Sequence, residues 1–151
     1  MLMYTAIKFL HILLAIMAVG FNASYAIWIM RAAREPEHIA HTLRGIQFLD
    51  DRLANPGYGL LLITGLAMVF VSNLPLTTFW IDAALALWLV ALVIGIGFYT
   101  PALRRQLATL ESKGVTSMEY QRAAQRSTMI GIIVSIPVVL IVALMVFKPI
   151  L

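Results

Sequence analysis

An all-α fold, a four-helix transmembrane bundle, is what this sequence predicts, on three observations. Of its 151 residues 62% are apolar and 12% charged, whereas soluble domains average about 45–50% and about 25%. Mean hydropathy is +0.92. Windows 9–30, 53–81, 83–103 and 127–147, of 22, 29, 21 and 21 residues, contain no Asp, Glu, Lys or Arg, and about 20 residues suffice for a helix to cross the hydrocarbon core. A water-soluble enzyme, a disordered chain and a disulfide scaffold are excluded. One transmembrane domain over 1–151 is expected, with the lipid bilayer as its first partner. The net charge of +4 does not point to nucleic acid, because the basic residues fall in two connections between spans, where they set topology. Absence of cysteine removes thiolate metal sites, iron–sulfur clusters and thiol redox chemistry.

The first span is the richest in chemistry. Lys8, His11, Ala15, Ala18, Asn22 and Tyr25 follow a 3-4-3-4-3 spacing, which lines them along one side of a helix and predicts a seam facing protein. Small residues there let backbones approach, and Asn22 and Tyr25 suit interhelical hydrogen bonds. His11 is the only histidine inside a span. A neutral imidazole at that depth suits an axial ligand to haem iron or a proton relay, or equally a histidine satisfied by a neighbouring hydroxyl. Ala23, Ser24 and Ala26 are small enough for a processing site, but positive charge follows the apolar run instead of preceding it, so a retained span is expected.

In the first connection Ile39, Leu43, Ile46 and Leu53 recur at helical spacing among Glu37, His41, Arg44, Asp51 and Arg52. The pattern predicts an amphipathic helix at the interface or leading into the second span. Asn55-Pro56-Gly57 then interrupts it, which predicts a kink or turn there. Glu37, His38 and His41 have divalent-metal potential, or are a solvated helix face. The second span carries Tyr58, Gly65 and Ser72 at seven-residue intervals, a packing face.

Asp82 is the only carboxylate outside the two long connections, and its depth matches that of Lys8. A Lys8–Asp82 clasp would spare both an unpaired burial. After Pro101 a polar helix is expected to stop at Gly114, and Thr116 with Glu119 has capping-box spacing for the fourth helix. Thr128, Gly131 and Ser135 form a further packing face, and Pro137 should kink that helix. Met17, Met68 and Met129 are thioethers available to iron or copper, or gap fillers.

Lys8-Phe9-Leu10-His11, Asn55-Pro56-Gly57 with Thr64-Gly65, Pro101 with Arg104-Arg105, and Lys148-Pro149 occur in this order across the four spans. In that order they resemble the bacterial integral-membrane family known as domain of unknown function 2269. The resemblance implies a multi-pass protein of the bacterial inner membrane. The frame is similar, more distantly, to HemJ-type protoporphyrinogen oxidases and CopD-like membrane domains. In the HemJ type a first-span Lys-x-x-His supplies the histidine linked to haem b, which by resemblance is His11 here. Lys8, Asn22 and Tyr25 then line the same cofactor site. The HemJ type also needs a basic residue in its third span, where this chain has Asp82. Two readings follow. One is a haem b protein with a redox or haem-related role through His11. The other is a non-enzymatic accessory subunit of a membrane complex, or a small transporter, in which Lys8, His11 and Asp82 are structural. A homo-oligomer or larger complex suits either.

Nine of the eleven Lys and Arg residues lie in the two long connections, which predicts that these face the cytoplasm and both termini lie outside. A reporter active only in the cytoplasm should be silent at either terminus and active when inserted between residues 31 and 52. A strong terminal signal would reverse the topology.

Overall fold

The computed structural model describes residues 2–149, and among them every regular element is helical. Helix α1 is Leu2–Ala32. A 3₁₀ turn at Pro36–His38 leads to α2, Ile39–Leu49, and a π turn at Asp50–Ala54 carries it into α3, Asn55–Val71. Helix α4, Phe79–Ile94, passes through a second π turn at Gly95–Tyr99 into α5, Thr100–Lys113, and α6 is Met118–Phe147. Four continuous stretches, Leu2–Ala32, Pro36–Val71, Phe79–Lys113 and Met118–Phe147, are long and apolar enough to cross a membrane.

Their outward surface is apolar. Phe9, Ile16, Ile27, Phe70, Val93 and Val139 are all exposed. In water such a surface would drive association, whereas against acyl chains it carries no penalty. Helix α1 packs along α3, and α4 along α6. The two pairs are tied together where the charged connections lie, the connection end, by α2 against α5. The core sits there: Ile39, Leu43 and Ile46 of α2 meet Leu103, Leu107 and Leu110 of α5, with Tyr25, Tyr99 and Tyr120 closing the cluster. The stripe expected in the first connection is therefore the buried one, except that Leu53, beyond the π turn, is exposed. Two ion pairs guard the rim, Arg44–Glu111 at 2.7 Å and Arg104–Asp51 at 2.8 Å.

The kink or turn expected at Asn55-Pro56-Gly57 takes the form of the π turn that precedes it. The chain stays helical, and the Asn55 N–H bonds to the Asp50 carbonyl five residues back. At the second π turn the Thr100 N–H likewise reaches Gly95. Each π turn is followed at once by an X-Pro pair, Asn55-Pro56 and Thr100-Pro101. Proline has no N–H to continue the ladder, so an added residue is accommodated there with least loss. Pro137 likewise lies inside α6, which runs on past it.

Gly114 stops α5 as expected, in the left-handed region at φ +82°, where a side chain would be strained. The cap of α6 is Ser117, whose hydroxyl accepts from the Tyr120 N–H at 3.2 Å, and not Thr116. The extended backbone that a cap requires falls one residue later than the spacing suggested. At the opposite end, Lys148 Nζ lies 5.4 Å from the Trp80 ring centroid, a cation–π contact between the end of α6 and the start of α4.

Leu43 is 1% exposed at the centre of the core. Leu43→Ala should lower stability by about 2–5 kcal/mol, read from unfolding in detergent, whereas Ile16→Ala on the lipid face should cost far less. Equal losses would place the stabilising core elsewhere.

Candidate functional site

The seam of α1 does face protein. Ala18 and Tyr25 are buried, and His11, Ala15 and Asn22 half-buried, along the contact with α3. Near its start His11 Nδ1 lies 2.7 Å from Thr64 Oγ1. The Thr64 hydroxyl donates to the Leu60 carbonyl at 2.8 Å, the back-bond of a helical threonine. With the hydroxyl hydrogen on Leu60, the Nδ1–H tautomer of His11 donates to Oγ1 and carries its lone pair on Nε2; in the other tautomer the hydroxyl donates to Nδ1. Gly65 completes the seat. A Cβ there would come within 3.3 Å of His11 Cε1, so a larger residue would press α3 away from the ring.

Farther along the seam, Asn22 Nδ2 donates to the Tyr58 hydroxyl at 3.1 Å and to the Ala18 carbonyl at 3.0 Å. Trp88 Nε1 donates to the Tyr58 carbonyl at 3.3 Å, joining α4 to α3. Asn22 thus makes the interhelical bond expected of it. Tyr25 does not: its hydroxyl is buried with no hydrogen-bond partner among the described residues.

Beyond Tyr25 the two π turns meet in a polar node. Asp50 is 3% exposed. The Thr100 hydroxyl donates to Asp50 Oδ2 at 2.8 Å and Asn55 Nδ2 to the same oxygen at 3.3 Å, with Asn55 also 3.5 Å from Thr100 Oγ1. Asp50 acts electrostatically on Tyr25, Tyr58 and Tyr99. Among the described residues no cation lies within ion-pair distance of it. Arg104, the nearby base, is paired with Asp51, so the groups in hydrogen-bond contact with the Asp50 carboxyl are hydroxyl and amide dipoles, the costly way to bury one. Between α5 and α6 Ser127 Oγ donates to Gln106 Oε1, and Gln106 Nε2 is buried without a hydrogen-bond partner among the described residues.

Other expected groupings are not assembled. Lys8 and Asp82 are both exposed and form no ion pair, because α1 packs on α3 while Asp82 rides on α4, which packs on α6. Lys8 therefore stands outside the polar seat of His11, and the Lys8–His11–Asp82 cluster is absent. Glu37, His38 and His41 are exposed, His38 leans on Glu35 at 3.6 Å, and no group of three such side chains among the described residues is placed to hold a metal ion. Met17 and Met129 lie on the outer surface, and Met68 is half-buried. Thr128 and Ser135 are exposed, so only Gly131 of that proposed face lies at a helix contact.

Asp50 escaped the sequence reading because it stands beside Asp51 and Arg52, in what looks like a solvated face. A signal was present. Ile39, Leu43, Ile46 and Asp50 continue one 4-3-4 stripe, and Thr100, Leu103, Leu107 and Leu110 another of 3-4-3. Both polar residues occupy apolar-stripe positions.

Helices that expose apolar side chains to lipid and gather their polar groups along inner seams define a polytopic integral membrane protein. The chain belongs to the family described as predicted integral membrane protein, domain of unknown function 2269, whose model matches residues 5–149. No curated protein and no solved structure matches the chain.

Thr100→Val removes the shortest donor to Asp50 and should cost about 1–3 kcal/mol of stability. In an Asp50→Asn background the same change should cost less, since an amide demands less of its donors. Equal losses in the two backgrounds, measured as a double-mutant cycle, would show that Thr100 does not act through the carboxylate.

Proposed function

We propose that this membrane protein holds a haem b, or a similar flat hydrophobic ligand, beside α1, with His11 as the axial contact and a redox or haem-related role. The observation that carries the reading is the Nδ1–Thr64 hydrogen bond. It orients the ring, and with Nδ1–H as the donor it leaves Nε2 as a lone-pair donor, the state in which histidine ligates a metal, with the other nitrogen held by a second group. Supporting it, the buried residues of α1 begin only at Ala18, so protein does not enclose the turns around His11 and the ring faces a half-open surface. The first-span Lys8-x-x-His11 spacing adds the resemblance to the HemJ type. His38 and His41 lie in the first connection, so this chain offers iron one imidazole. Bound there, haem would supply one-electron exchange. Thr64 and Gly65 would hold the ligand imidazole, and Asn22 would brace α1 against α3.

A second reading rests on the buried Asp50 node. A carboxylate with no ion-pair partner among the described residues, near the Tyr25 hydroxyl, which has no hydrogen-bond partner among them either, suits a small transporter, or an accessory subunit that receives a partner's charge. In both readings the connections face the cytoplasm of a bacterial inner membrane and the termini lie outside.

Protein purified after expression with ample haem should show a Soret band that shifts on reduction. His11→Ala should abolish or alter it, and Thr64→Val should weaken haem retention about 10–100-fold while the bundle still inserts. Colourless wild-type protein would overturn the haem reading in favour of the second. An unchanged spectrum in His11→Ala would keep haem and remove His11 as its ligand.

A further inference from the structure

Independently of His11, we infer that the groove between α5 and α6 is a binding site for the phosphate headgroup of an anionic phospholipid. Pro101, Arg105 and Thr109 share one face of α5, and Glu119, Arg122 and Arg126 one face of α6. The turn at Gly114 folds these faces onto each other around a groove of about 380 Å³. Three guanidinium groups thus converge with a single carboxylate.

Arg44 is taken by Glu111 and Arg104 by Asp51. Among the described residues Arg105, Arg122 and Arg126 have neither an ion pair nor a side-chain hydrogen bond, and Glu119 stays out of ion-pair distance of all three although it lines the same groove. Arg31, Arg34 and Arg52 are likewise without an ion pair among the described residues; what separates Arg105, Arg122 and Arg126 is that all three line one groove. Three like charges beside one carboxylate leave the groove net positive, so the arrangement calls for an anion from outside. Guanidinium is the side chain best shaped for phosphate, through paired N–H donors.

The surroundings select a lipid over a free anion. The groove runs from Arg122 and Arg126 to Gly97 and Phe98, at the charged end of an apolar stretch. Phe98 is 55% exposed on that apolar side, and Met129, one turn beyond Arg126, is exposed as well. Gly97, Ala102 and Ala123 keep the floor low. A ligand with phosphate at one end and acyl chains at the other would meet arginine and Phe98 together. Basic pockets between transmembrane helices bind anionic headgroups in this way.

The test is binding of fluorescent phosphatidylglycerol to the purified full-length chain in neutral detergent, against labelled phosphatidylcholine. The wild type should prefer phosphatidylglycerol. The variant Arg105→Gln/Arg122→Gln/Arg126→Gln should lose about 100-fold in affinity, and Arg122→Gln alone about fivefold. The single change lies on an exposed helix face, so the outcome does not hang on the triple variant folding. Arg31→Gln/Arg34→Gln/Arg52→Gln, which removes as much charge elsewhere in a connection, should bind as the wild type does. Unchanged affinity in the groove variants, or an equal loss in the control, would overturn the site. Displacement of the lipid by equimolar inorganic phosphate would reassign it to a free anion.

Discussion

In hydrocarbon a backbone N–H or C=O has no water to turn to, and every other feature of this molecule is arranged around that deficit. Helices satisfy it locally, so the spans are helical whatever side chains they carry. Pro56 and Pro101 withdraw a donor from two of them, and each is preceded by a π turn that shifts the hydrogen-bond register by one residue. The same slips sit at either side of the Asp50–Thr100 contact. Backbone accounting and the most deeply buried carboxylate are thus parts of one arrangement.

Packing is unevenly distributed along the bundle. Apolar side chains gain nothing from leaving lipid for protein, so helix contacts within the spans rely on small residues and hydrogen bonds. At the connection end water is available, and there Ile39, Leu43, Ile46, Leu103, Leu107 and Leu110 gain by leaving it. That hydrophobic core holds the α1–α3 and α4–α6 pairs together. Away from it burial thins: α1 buries Ala18, Tyr25 and Ala32 and nothing before them. His11 accordingly sits where neighbours can change at small cost, and Asp50 where they cannot. Low local burial is the usual setting for ligand exchange, and high burial for a fixed electrostatic feature.

Charge follows the same division. Arg44 and Arg104 are consumed by the fold through Glu111 and Asp51. The arginines of the α5–α6 groove are not, which leaves positive potential at the level of a headgroup layer, where it attracts anionic lipid and helps fix the depth of the bundle. Lys148 fills a smaller role of the same kind over Trp80.

Composition and period were enough to determine four helical spans, the buried stripe of α2, the stop at Gly114 and the inward seam of α1, because each depends on local hydrogen bonding or on one helix meeting one apolar boundary. Even Asp50 and Thr100 stood on legible stripe positions. What the sequence did not contain is which helix faces which. Lys8 and Asp82 matched in depth yet ride on different helix pairs, and Thr64 became the partner of His11 only when α1 lay along α3. Likewise Pro56 reads as a kink or turn from the chain alone and proves to follow a π turn, since α5 and Thr100 are there to receive the displaced Asp50. Spacing along a helix orders side chains around one axis. The partner across the gap is decided by how several such axes pack, and that is a property of the tertiary structure alone.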